Sequence, residues 1–549
     1  MVQQEYNWLT NLNQYMTPEQ GRSILAESAT LKDVQAVPDS PAVLEKISTL
    51  TVADLRAMGF EIPTKVYDDI FDSGINMLQH ELPHTNGIAY VDFSVDISNM
   101  NFQDVVLLPL FCQMLIRGGT SIETGIELQR AIDMYSGGIT VQPIVEDIVS
   151  VGSDNGYIVP DGKHMITKIV VRASCYAESG CLPMFTVIKQ ILFDSDVNQQ
   201  STAIAILKKM IGDMENDVQV QSHEYTTFRI ESQYGLPGFI REQWKGITQL
   251  MNLRRALIQA QSDWSALSQR LVLMADAMRR GNRNGMALSL TGDKASLKGI
   301  SSGFETFVKQ ILPLATQTTR FPDWATQQHP WYTPGLRQMT DEINAEGQNE
   351  AFLVPTRLNT VAKGGILYEP GEPVRGSDVV VLQYIGGYFL YTELRFGQGA
   401  SNAGVAVDIS TGSVVYQSDD APDIASTLEI FDEGASFVLK EIQGQTSLPP
   451  EARGAVIGAI GQLDGTALQP AEIGYVSLIQ YLRQETAATR QQFRNEVLNS
   501  QVSDFMKMVN QLGAWGKPNI AVITNQEQLS QAAKNGITLT TCNITGVAC

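Results

Sequence analysis

His80-Glu81-Leu82-Pro83-His84 satisfies H-E-x-x-H, the pattern in which two histidines hold zinc and the glutamate acts as base. That chemistry needs a helix, because only there do residues i and i+4 aim two imidazoles at one metal. Pro83 stands just before the second histidine. In a helix interior it would remove a hydrogen bond and clash with the preceding turn, at a cost of ~3 kcal/mol. It also pushes Leu82 out of the helical region. The other histidines, His164, His223 and His329, give no third ligand at a suitable spacing. The segment therefore reads as a surface loop ahead of a strand that starts at Ile88. A zinc peptidase built on His80, Glu81 and His84 is disfavoured.

Gly397-Gln398-Gly399-Ala400-Ser401-Asn402 falls one residue short of G-x-G-x-x-G and follows a helical pattern rather than a strand. That is the wrong context for dinucleotide binding, and the segment reads as a turn. Arg395 ends a nearly uncharged helix just before this turn. It either complements the negative end of the helix dipole or is fixed there to hold a peptide carbonyl or carboxylate. Arg279-Arg280-Gly281-Asn282-Arg283 reads as a solvated loop, and His223-Glu224 as structural. The cysteines are Cys112, Cys175, Cys181, Cys542 and Cys549. Their odd number and the absence of a C-x-x-C pair point to free thiols of a reducing compartment.

The elements that position these residues belong to a chain of 549 residues with ordinary globular composition, 43% hydrophobic and 18% charged. Length alone predicts about three to four domains. With 39 Lys+Arg against 59 Asp+Glu the net charge is −20, which argues against nucleic-acid and polybasic membrane-surface binding. The longest uncharged runs fall short of the ~20 residues a spanning helix needs, so no membrane insertion is expected. Met1-Val2-Gln3-Gln4-Glu5 does not look like a targeting segment.

Residues 1–52 read as helical, with Thr17-Pro18-Glu19-Gln20 as a helix start. Alternation of Ala89, Val91, Phe93 and Val95 with Tyr90, Asp92, Ser94 and Asp96 predicts a strand. Helices are predicted over 102–116, 122–135, 182–192, 197–225, 262–278 and 294–312, with strands near 139–144, 165–173 and 286–290. Residues 317–349, broken by Pro322, Pro330, Pro334 and Gly335, read as a linker. A similar order follows: a strand over 351–361, a helix over 377–394, strands over 403–409 and 413–417, helices at 424–438, 450–460, 475–482 and 486–512, and a strand at 519–524. Two strand–helix–glycine–strand modules in succession predict a tandem duplication of an α+β unit.

Five stretches together carry a resemblance: Pro38-Asp39-Ser40-Pro41 with Leu50 to Leu55; Thr85-Asn86-Gly87 with Tyr90; Leu108-Pro109-Leu110-Phe111-Cys112; Ser136-Gly137-Gly138-Ile139; and Leu394-Arg395-Phe396-Gly397-Gln398-Gly399-Ala400. In order and nearly end to end, they resemble the C-terminal half of the presequence-protease branch of the pitrilysin/insulinase zinc metallopeptidases. The resemblance implies two tandem pitrilysin-type α/β sandwich domains, with helices packed on mixed, mostly antiparallel sheets. Residues 1–52 would be a helical hairpin arm, 53–316 a third-domain-like unit, 317–349 a linker and 350–549 a fourth-domain-like unit. Such halves close around a peptide-degrading chamber.

The family's zinc motif, H-x-x-E-H, occurs nowhere in this chain. The resemblance therefore implies zinc in a complementary N-terminal half, in the same or a separate chain, and no catalytic or metal residue here. It further implies unfolded peptides as ligands, held by an Arg and a Tyr from this half. The Arg matches Arg395; in a pattern like R-x-x-G-G-A-Y-G the Tyr position falls on Ser401, and two glycine positions fall on Gln398 and Asn402. A serine hydroxyl donates with less reach than a phenol, and loss of such a donor costs about 10²–10³ in rate. Two functions follow: the substrate-binding half of a zinc metalloendopeptidase, inactive alone, or a non-catalytic peptide-binding or assembly subunit. The family location would be mitochondrial matrix or plastid; without a targeting segment the chain would be cytoplasmic.

Overall fold

The computed structural model describes residues 2–37, 39–47, 49–152, 156–280, 285–311, 329–346, 349–465, 468–516 and 518–544. They form two compact units, Met1–Asp54 and Leu55–Cys549. The first is helical, with helices Val2–Tyr15, Pro18–Ala36 and Pro41–Leu44. Thr17 and Gln20 close a reciprocal capping box, so the predicted helix start is realised. Tyr6, Trp8, Leu9, Leu12 and Tyr15 of this unit are exposed.

The second unit contains fourteen strands among the described residues: β1 Lys65–Tyr67, β2 Asn76–Glu81, β3 Ile88–Asp96, β4 Ile139–Asp147, β5 Tyr157–Ile158, β6 Met165–Tyr176, β7 Ala287–Gly292, β8 Glu350–Leu353, β9 Asn359–Ile366, β10 Pro373–Val374, β11 Asn402–Asp408, β12 Ser413–Ala421, β13 Asn519–Thr524 and β14 Thr540–Asn543. Two six-stranded sheets result, ordered β1-β2-β7-β3-β6-β4 and β11-β12-β9-β13-β8-β14, with β5 and β10 pairing separately. In sheet one β2 runs parallel to β7, and β7, β3, β6 and β4 alternate antiparallel. In sheet two β8 runs parallel to β13, and β13, β9, β12 and β11 alternate in the same way. Five strands thus repeat their chain order and direction, the topological imprint of duplication. Only the sixth differs: β1 precedes its sheet and pairs antiparallel, whereas β14 follows its sheet and pairs parallel.

One face of sheet one carries Val91, Phe93, Val95, Ile169, Val171 and Leu288 into the main core. Helix Lys294–Ile311 closes over it through Phe307, 5.8 Å from Phe93 between ring centres. Asp92, Ser94 and Asp96, on the opposite face of β3, are all buried as well. Helix Pro470–Leu482, from the second module, lies over them and contributes Leu478 and Leu482 to a small core with Leu78, Ile166 and Val170. Burial of charge there is offset by pairing: Arg172 donates to Asp92 at 2.8 Å and Lys168 to Asp96 at 3.3 Å.

The exchange is reciprocal. Helix Ser222–Glu231 of the first module lies on sheet two, where Arg229 forms a two-pronged bond to Glu350 at 2.6 and 2.8 Å. Ser222 and Thr227 bond to Thr360 and Gln417 of the same sheet.

Several expectations need correction. The 351–361 strand is two strands, β8 and β9, because Pro355 interrupts it. The 197–225 helix breaks at Gln221, and the 486–512 helix at 499–501. Helices Leu236–Lys245 and Ile247–Ser262 have no predicted counterpart. Of the 317–349 segment, Tyr332–Glu346 is a helix, whereas 317–328 and 347–348 lie outside the described residues, as do 281–283 of the basic cluster.

The cysteine reading is overturned. Cys175 and Cys181 form a disulfide across the turn that follows β6, and Cys542 is also disulfide-bonded. A six-residue turn brings the first pair together without any C-x-x-C spacing. Cys112 stays a free, buried thiol whose pKa is pushed up by burial.

Candidate functional site

The H-E-x-x-H segment is not a site. His80 and Glu81 end strand β2 instead of lying in a loop, so successive side chains point to opposite faces. His80 is buried, with Nδ1 3.2 Å from the Thr64 hydroxyl and 3.3 Å from the Pro63 carbonyl oxygen. Burial holds its pKa below the usual histidine value. Glu81 and His84 are exposed. These residues cannot close on one zinc ion, and among the described residues no group of three or more His, Cys, Asp or Glu is placed to hold a metal.

Arg395 lies elsewhere, in the second module. Helix Gly376–Tyr384 continues into a π-helix, Ile385–Gln398, a wide-turned form that recurs at functional sites. The helix runs close to edge strand β11: a Cβ on Gly386 would sit 3.1 Å from the Val405 nitrogen. Gly399 ends it in the left-handed region, φ +87°, where a side chain would be strained. The Gly399 amide donates to the Arg395 carbonyl and the Ala400 amide to that of Leu394. The predicted turn role of Gly399 therefore has a backbone cause.

This turn folds the chain so that Arg395 Nη1 donates to the Ser401 carbonyl at 2.7 Å. The guanidinium lies 5.0 Å above the Tyr391 ring, and Tyr391 meets Phe396 edge-on at 5.3 Å. The structure thus brings the two predicted residues together, through the Ser401 backbone and not its hydroxyl. Ser401 itself is exposed, and its amide donates to the Asp419 carbonyl at 3.0 Å. Among the described residues Arg395 has no carboxylate partner, whereas Arg172, Arg229, Arg241, Arg270 and Arg494 are all paired. Its remaining N–H groups are open to a ligand with a carbonyl or carboxylate oxygen. Tyr388, Tyr391 and Phe396 went unnoticed in the sequence, although the aromatic density of 384–396 was visible there.

A second charged cluster is structural. Arg241 pairs with Asp408 and, at 3.5 Å, with Glu231, while Arg483 lies 3.5 Å from Glu146. Burial raises Asp147 and Glu231 each to about 8. Burial would raise Asp408 too, but Arg241 and bonds from Ser410 and Thr411 outweigh it and hold it low. These groups join β4 and helix Leu236–Lys245 to the β11–β12 turn.

Residues 1–255 match the family described as Peptidase M16C associated, and residues 349–525 match the PreP C-terminal domain. Presequence protease 1, chloroplastic/mitochondrial, of Arabidopsis thaliana is 27% identical over 97% of this chain and 45% of its own length. Protein HypA of Clostridium perfringens is 22% identical over 92% of this chain and 48% of its own. The chain spans about half the length of these curated relatives. The crystal structure of a peptidase M16 inactive domain from Pseudomonas fluorescens covers 84% of this chain and 98% of its own, with TM-score 0.53 and 12% identity. That likeness shows the fold.

Proposed function

The chain resembles presequence protease, an M16 peptidase, over the C-terminal, inactive-type half of that family, and on this premise we propose that it is the substrate-binding half of a peptide-degrading metallopeptidase. In this reading residues 53–316 and 350–549 are its two modules, residues 1–52 an arm and 317–349 the link. It pairs with an N-terminal half that carries the zinc, and the two enclose a chamber for unfolded peptides. The exposed aromatic and aliphatic residues of helix Val2–Tyr15 support the arm as a surface for another body. Among the described residues no group is placed to hold zinc, so no hydrolytic step is assigned to this chain.

One observation carries the substrate-binding role: Arg395 is an exposed cation without an acidic partner among the described residues, held by the Ser401 carbonyl and the Tyr391 ring at the end of a helix. There it donates to a peptide carbonyl or carboxylate, a charge-assisted bond. Fluorescence anisotropy with labelled unfolded peptides tests this. Arg395→Ala is expected to weaken binding about tenfold, as loss of a charge-assisted bond predicts. Cleavage by the purified 549-residue chain that a chelator abolishes would contradict its inactivity alone. Ser401, at the family's Tyr position, favours a second reading, a non-catalytic binding or assembly subunit. Under that reading, mixing with a zinc-bearing half restores binding but no hydrolysis. The relatives from Arabidopsis thaliana and Debaryomyces hansenii are chloroplastic/mitochondrial and mitochondrial presequence proteases, and a similar location is proposed here.

A further inference from the structure

We infer that Tyr391 and Phe396 form an apolar side-chain subsite beside Arg395, which selects peptides with a large apolar residue at the docked position. The inference rests on the peptide-binding reading of Arg395 and adds a specificity to it. Phe396 is 73% exposed, on a helix otherwise anchored by buried Ile385, Phe389, Leu390 and Leu394. Phe396 is braced by Tyr391.

The π-helix explains the grouping. In an α-helix, residues i and i+5 do not share a face. The wider turn brings Phe396, at i+5, against Tyr391, while Arg395, at i+4, still covers the same ring. A cation for the backbone of a peptide and an aromatic surface for its side chain therefore stand side by side. Rigid aromatic side chains lose little freedom on contact, which suits them to recognition. The occupant follows from charge and shape. Arg395 lacks an acid partner among the described residues, exposed Glu393 makes no ion pair with it, and the rings offer no acceptor beyond one phenol. A peptide offering a main-chain oxygen next to an aromatic or branched aliphatic side chain fits both features.

Fluorescence anisotropy of the full 549-residue chain, with two labelled decapeptides identical except for Phe or Ala at one central position, tests the subsite. Phe396→Ala is expected to weaken the Phe peptide about tenfold and to leave the Ala peptide unchanged. Arg395→Ala weakens both. Phe396 is exposed, so unchanged circular dichroism of the variant guards against a folding effect. Equal losses for the two peptides, or no loss, overturn the subsite while leaving the Arg395 reading intact. If the wild-type chain binds neither peptide, both fall. If Phe396→Ala abolishes self-association in sedimentation and leaves peptide binding unchanged, the ring face is a protein interface and the subsite is rejected.

Discussion

Asp147 is buried where β4 ends, and neither of its carboxylate oxygens has a hydrogen bond in the structure. Arg241 and Arg483 lower its pKa and Asp408 and Glu146 raise it, but burial dominates and brings it to about 8 from 3.8. The folded state therefore binds a proton more tightly than the unfolded chain. The stabilisation is present in full below about pH 4 and is lost as pH rises toward about 8. Urea unfolding at pH 5, 7 and 9 should show stability falling across this series, by an amount on the order of a few kcal/mol. Asp147→Asn should flatten the slope; Glu231, also raised to about 8, keeps part of it. A different constraint acts at Gly474, in the helix that covers sheet one. A Cβ there would sit 2.4 Å from the Thr291 hydroxyl, 2.8 Å from that of Ser289 and 3.0 Å from Asp92 Oδ2. Gly474→Ala should destabilise by roughly 1–3 kcal/mol, read as a lower thermal midpoint, because the helix must lift from the sheet.

At the scale of elements, the two exchanged helices unite the modules. Arg229 and Glu350 are both buried, and each is the other's main compensation for lost water. Arg229→Met leaves Glu350 charged and stranded, and should cost about 3–5 kcal/mol in denaturant unfolding. The double variant Arg229→Met, Glu350→Leu should recover part of that loss, since a packed apolar pair often matches a buried ion pair, while buried Glu242 still loses the Arg229 charge 3.9 Å away. Elements with local signals were legible. The Thr17 capping box, the alternation along β3 and the glycine stop at Gly399 each follow from a few adjacent residues. The helix break at Gln221 has no glycine or proline to announce it, because the chain turns there to send Ser222–Glu231 across to the other sheet.

On the scale of the whole molecule, reciprocal covering makes Leu55–Cys549 one compact unit. Residues 350–549 expressed alone would leave the β9–β12–β13 face without helix Ser222–Glu231. That fragment is expected to bind a hydrophobic dye and to unfold without a sharp transition, whereas residues 55–549 should unfold cooperatively. Independent, cooperative folding of 350–549 would show that the exchanged helix is dispensable.

The sequence by itself determined the α+β class, the position of Arg395 before a glycine turn, and the lack of the family's zinc motif, and it suggested the duplication. Each of these depends on residue order over short spans or on the presence of a motif. Only the tertiary structure decided the rest. Asp92, Ser94 and Asp96 are buried because a helix from about 380 residues further along the chain lies on them. Cys175 meets Cys181 because a tight turn aims both inward. His80 and His84 miss each other because His80 is buried in β2, which ends at Glu81, whereas His84 lies exposed beyond it. Tyr391 joins Arg395 and Phe396 because the helix widens to a π-turn.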